Sequence, residues 1–161
     1  MNQTLRALAV AIMVTLVVVA AYDIYLLGET PGSFTGVVPT GFTVNGKTYP
    51  FAYVATTSAQ WASGLMNTKI ANTTIMLFAF PTSSAWTFWM YDTNTSLDII
   101  WLSANGNASK VVYLVTGAAP CFNMGACARY TPSSPANFAI EAKAGFAVAN
   151  GITMGTVVEL T

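Results

Sequence analysis

Cys121 and Cys127 are the only two cysteines of this 161-residue chain, Met124 stands midway between them, and there is no histidine. In an oxidising compartment two thiols this close in sequence close a short disulfide loop. As free thiolates they would instead join the Met124 thioether in a soft set suited to Cu(I), with Met66, Met76, Met90 or Met154 adding sulfur. Without histidine, zinc and Cu(II) sites of the usual type fall away, and so do Ser-His-Asp and Cys-His catalysis.

Carboxylates are the remaining candidates. Asp98 interrupts an apolar run between Leu97 and Ile99-Ile100. Strand alternation places it on the face of Ile100, opposite Leu97 and Ile99. A carboxylate there faces solvent or is buried with a partner. That partner is either a set of loop amides or a cation, Arg129 or Lys110. General acid/base chemistry would require a second acid, and Glu141 or Asp92 would have to supply it. Trp61, Trp86, Trp89 and Trp101 read as core or as a stacking platform for sugar. Trp86 and Phe88 share one side of an extended segment and Trp89 takes the other. No phosphate loop, dinucleotide fingerprint or nucleophile elbow is present, and no cofactor is called for.

These residues are carried behind an apolar segment. Leu8 to Tyr22 holds no charge and the apolar run continues to Leu27. Twenty helical residues rise roughly 30 Å, the hydrocarbon thickness of a bilayer. Arg6 precedes the run, while Asp23 and Glu29 lie at or beyond its end, so the positive side stays inside. The expected organisation is a cytoplasmic N-terminus at 1–7, an anchor helix at 8–27, a Gly/Pro-rich tether at 28–41 and an extracytoplasmic β-rich domain at 42–161. Two other readings involve cleavage. Val19-Ala20-Ala21 fits a signal-peptidase site that would release a soluble domain. Arg6-Ala7 resembles the pair preceding the hydrophobic helix of archaeal pilin-like precursors, which would make the chain a filament subunit. All three place the domain outside the cytoplasm.

Six basic and six acidic residues in a chain 54% apolar leave no basic patch for nucleic acid. So little charge favours self-association or protein partners, since few like charges keep copies apart. Sequons at Asn72, Asn94 and Asn107 offer glycosylation sites in the outer domain.

Within that domain, Phe42-Thr43-Val44 and Tyr49–Ala55 flank Asn45-Gly46, a hairpin signal. Ser58 is placed to cap a short helix ending near Gly64. Strands are expected over Thr74–Phe80, Ala85–Met90, Leu97–Ser103, Lys110–Thr116, Phe138–Ala142 and Thr156–Leu160. Asn105-Gly106 turns one hairpin, and Gly145–Gly155 holds a helical turn. The expected class is mainly β, a barrel- or sandwich-like domain with one or two short helices after one transmembrane-type helix.

Landmarks in order along this domain carry a resemblance. They are Gly64-Leu65-Met66, Met76-Leu77-Phe78-Ala79-Phe80, Phe88-Trp89-Met90, Thr93, Leu97-Asp98-Ile99-Ile100, Pro120-Cys121, Cys127, Tyr130, Glu141, Gly145 and Gly155. Together they resemble the domain-of-unknown-function family 192. The resemblance implies a small, mostly β, exported or membrane-anchored domain and brings no activity. Met66, Trp89, Met90, Asp98, Tyr130 and Glu141 form its candidate ligand or structural site. Asn67-Thr68-Lys69, Tyr91 and Ile75 depart from the family pattern, and two of these departures remove basic residues. The expected function is a non-enzymatic, membrane-anchored binding or assembly domain, such as an accessory subunit of a surface complex. A filament subunit and a small-molecule or copper carrier are its rivals.

Overall fold

Two segments, Ile75 to Phe80 and Leu97 to Leu102, are apolar at nearly every position. Runs of this kind fit strands covered on both faces. The computed structural model, which describes residues 32–105 and 108–161, builds its centre from them. The apolar run 8–27, the N-terminus before it, the start of the tether and the Asn107 sequon lie outside the described residues. No helix among the described residues is long and apolar enough to cross a membrane.

The elements in chain order are β1 (Gly41–Val44), β2 (Lys47–Pro50), β3 (Tyr53–Ala55), α1 (Ser58–Ser63), β4 (Ile75–Ser84), β5 (Leu97–Asn105) and β6 (Ala108–Ala118). A 3₁₀ turn (Met124–Ala126), β7 (Ala136–Lys143), α2 (Phe146–Ala149) and β8 (Val157–Leu160) follow. The domain is mainly β with two short helices. Its eight strands form one sheet in the order β2-β1-β8-β6-β5-β7-β4-β3. Only β3–β4 is parallel.

Alternation along the central strands splits the core into two clusters. Met76, Phe78, Phe80, Leu97, Ile99, Trp101 and Ala139 belong to one. Ile75, Leu77, Ile100, Leu102, Ile140 and Ala142 belong to the other, together with Phe42 and Val44 from distant β1. The sheet reaches across itself because β2 and β3, at opposite ends of the strand order, are joined only by Phe51 and Ala52. The three steps from Pro50 to Tyr53 span at most about 11 Å. The ends must therefore meet, and the Ala52 amide donates to the Ile75 carbonyl of β4 at 2.8 Å. Phe42 stacks on Tyr49 and Phe51, with ring centroids 5.4 Å away in each case.

Local chemistry accounts for the boundaries. Asn45 and Gly46 both take positive φ, 48° and 76°, as a tight primed hairpin turn requires. The expected second strand, Tyr49–Ala55, instead divides at Phe51-Ala52 to serve both ends of the sheet. Thr57, not Ser58, caps α1. The spacing Thr57-x-x-Gln60 allows a reciprocal capping box: the Thr57 hydroxyl accepts from the Gln60 amide, and Gln60 Oε1 accepts from the Thr57 amide. Ala85–Met90 is not a strand. β4 runs on to Ser84, and beyond it only Phe88 pairs, exchanging backbone hydrogen bonds with Tyr130 at 2.9 Å each. The rest of that segment folds as a loop that lays Trp86 and Phe88 against the first cluster.

Asp98 joins three pieces of chain. Fully buried, it faces the second cluster, and the β5–β6 register slips beside it so that Thr116 and Gly117 oppose one residue. Gly117, at φ +67°, turns this bulge and donates its amide to Asp98 Oδ1 at 2.9 Å. The amides of Gly145 and Ala147 at the start of α2 donate to Oδ2 at 3.0 and 2.9 Å. Neither Arg129 nor Lys110 contributes; the partners are amides. Asp98→Ala leaves three amides without their acceptor, that of Ala147 fully buried and those of Gly117 and Gly145 partly so, and should cost about 3–5 kcal/mol. Asp98→Asn, whose NH₂ cannot accept, should cost about 2 kcal/mol. Urea unfolding of the two variants checks both, and a loss below about 1 kcal/mol for Asp98→Ala would contradict the assignment.

Candidate functional site

The first cluster is not filled. Between α1, the Gly64-Leu65-Met66 turn, β4 and the loop through Trp86–Trp89 lies a cavity of about 320 Å³. That is the lower end of the range for small-molecule sites. Its walls are aromatic. Phe80 and Trp86 stack with centroids 4.3 Å apart and rings 12° from parallel. Trp61 stands 5.5 Å from Phe80 and 5.8 Å from Trp86. Phe88 meets Phe78 edge-on at 4.8 Å.

Glu141 reaches this cavity from β7, in register with Met76 of β4 and Ile99 of β5. It is 4% exposed, and its Oε2 has no hydrogen-bond partner. Burial among apolar walls pushes its pKa up from 4.5 to about 8, because water is missing where the charge would be. At neutral pH the group is chiefly a neutral acid. Gly64 turns directly above it at φ +46°, and a Cβ there would lie 3.3 Å from Phe78 Cζ and 3.8 Å from Glu141 Oε2. A side chain at this position would be strained and would intrude on the acid.

Arg129, just past the disulfide loop, completes the lining. Cys121 and Cys127 are bonded, with Cα atoms 5.6 Å apart. The Cys121 amide donates to the Met90 carbonyl at 3.1 Å, and the Asp92 amide donates to the Cys121 carbonyl at 2.9 Å. This strap runs on to Arg129, which is exposed and lays its guanidinium 3.9 Å from the centre of the Trp89 ring. With both sulfurs joined, no thiolate is left for copper beside the exposed Met124.

Of the candidate residues, the cavity gathers Met66, Trp89 and Glu141. Met90 is buried in the adjoining core, and Tyr130 packs half-buried on the same cluster. Asp98 sits one register step from Glu141, paired with Ala142 where Ile99 pairs with Glu141, and so faces the opposite side of the sheet. Asp92 does not line the cavity. The two-carboxylate arrangement for acid/base catalysis is therefore not assembled among the described residues. Arg129 as a cavity residue escaped the sequence reading, since only a neighbouring strand pair, Phe88 with Tyr130, brings it to Trp89. The Asn72 and Asn94 sequons are exposed.

Two measurements test this geometry. Between pH 4.5 and about 8 the folded protein holds a proton on Glu141 that the unfolded chain has released. Stability conferred by that proton is therefore complete below the window and is lost as pH rises through it. Glu141→Gln should remove this slope, at most about 1.4 kcal/mol per pH unit, in denaturation series run across the window; identical slopes would contradict a buried neutral acid. Reduction of Cys121–Cys127 should release both thiols and cost roughly 2 kcal/mol, read by unfolding with and without reductant.

The domain's fold recurs in solved structures. A crystal structure of a protein of unknown function from Novosphingobium aromaticivorans DSM 12444 is similar at 27% identity and TM-score 0.63, covering 81% of this chain and 93% of that one. A protein of Sinorhizobium meliloti 1021, described as a candidate transcription regulator, shares the fold at 23% identity and TM-score 0.62, over 77% of this chain and 97% of that one. No curated protein matches significantly. The family described as Uncharacterized ACR, COG1430 matches residues 42–160, nearly the whole β domain and every residue around the cavity, and the chain belongs to that family, DUF192.

Proposed function

We propose that this chain is a non-enzymatic domain, held outside the cytoplasm by its N-terminal segment, that binds a small molecule in the aromatic cavity. The observation that carries the reading is Glu141, a buried acid whose Oε2 has no partner, opening onto a cavity of about 320 Å³. A buried polar atom without a partner costs stability and is uncommon in folded proteins. A ligand atom supplies the missing partner here. Among the described residues no second acid lines the cavity, so the site favours holding over reacting.

The apolar run 8–27, charge-free from Leu8 to Tyr22, the disulfide and the sparse charge support an extracytoplasmic, anchored location. The curled sheet serves as a barrel-like frame for the cavity. Phe122 and Met124, 65% and 54% exposed on the disulfide loop, suit contact with a partner subunit at the surface. In sealed membrane vesicles of known orientation, protease added from outside should digest the domain of the full-length chain only when the extracytoplasmic side faces out. A thermal-shift screen of small polar and charged molecules should find a class that stabilises the native chain and fails on Trp86→Ala. Protection of the domain in vesicles whose extracytoplasmic side faces out would overturn the location, and equal responses of the two proteins would overturn the site.

A further inference from the structure

The cavity's chemistry goes further than its presence. We propose that its ligand is a small organic cation of the alkylammonium type, seated against the aromatic walls with its charge paired to Glu141. The inference rests on the binding function proposed above and adds the ligand's class.

Four polar side chains of the walls are already engaged. Trp61 donates its indole N–H to the Ala55 carbonyl and Trp86 to that of Thr82, both at 3.1 Å. The Thr87 hydroxyl is bonded to Thr131, and Thr93 donates to the Tyr91 carbonyl. A sugar, with hydroxyls on every side, would find few partners here. What the walls offer instead is a set of aromatic rings, Trp61, Phe78, Phe80, Trp86 and Phe88, whose π electrons attract an ammonium group, above all one with no N–H to satisfy. Glu141 supplies the matching charge. Among the described residues, Arg129 is the only other charged side chain lining the cavity. Its guanidinium is exposed on the Trp89 ring, at the solvent side of the wall, where water screens it.

Binding ionises the acid. The Glu141 carboxyl releases its proton to solvent as the cation enters, one proton for each ligand bound. Because that proton is held up to about pH 8 in the empty protein, affinity should rise with pH below this value, about tenfold per unit.

Calorimetry on the full-length chain with choline, and with its neutral carbon isostere 3,3-dimethylbutan-1-ol, tests the proposal. Choline should bind at least tenfold more tightly than the isostere at pH 8, weaken about tenfold between pH 7 and pH 6, and release a proton seen as a buffer-dependent heat. Glu141→Gln should abolish the preference and the pH dependence while still binding the isostere, which shows the cavity intact. Equal affinity for the two compounds would overturn the cation while leaving the binding function standing. Binding of neither, alongside a different class found in the screen, would also overturn the cation alone. An empty screen would overturn both readings.

Discussion

A sheet that is dry on both faces allows no polar side chain at its centre without an arrangement for it, and this constraint organises the domain. β4, β5 and β7 are covered on each side, by Leu65, Phe78 and Phe88 on one and by Phe42, Ile100 and Ala147 on the other. Two acids enter that interior from adjacent strands. They point to opposite faces and meet opposite treatment. Three amides saturate Asp98, whereas Glu141 Oε2 is left open. One acid holds the fold together. The other lies under a cavity and is available to a ligand.

The supporting elements follow from these two demands. Gly117 bulges so that its amide can reach Asp98, and α2, whose N-cap Gly145 has no side chain to offer, borrows the same carboxylate as its cap. Around Glu141 the devices serve openness instead. Gly64 keeps a side chain away from the acid. The disulfide loop is tied to Met90 through the Cys121 amide, and the Phe88–Tyr130 pair carries Arg129 to Trp89.

Local signals made much of this legible. Asn45-Gly46 announced its hairpin, and the apolar runs at Ile75 and Leu97 announced buried strands. Family landmarks pointed to Gly64, Trp89 and Glu141 before any contact was known. Tertiary demands hid the rest. Ala85–Met90 has strand composition but lies past the point where β4 loses its partner, so its aromatics cover a cluster instead of extending the sheet. Tyr49–Ala55 reads as one strand because nothing local reveals that Phe51-Ala52 must join both ends of a curled sheet. Alternation placed Asp98 on the face of Ile100, but its choice of amides over Lys110 or Arg129 depends on a bulge made by residues far along the chain. The same long-range pairing decides that Asp98 and Glu141 turn away from one another.

The central claim is that Glu141 is a buried, neutral, unpartnered acid at the floor of a binding cavity. The most direct test is a ¹³C NMR titration of its side-chain carboxyl carbon in the ligand-free protein, assigned by loss of the signal in Glu141→Gln. The account predicts a single transition with its midpoint near pH 8. A midpoint in the ordinary carboxylate range, near 4.5, would mean that the group is solvated or paired, and would contradict the account.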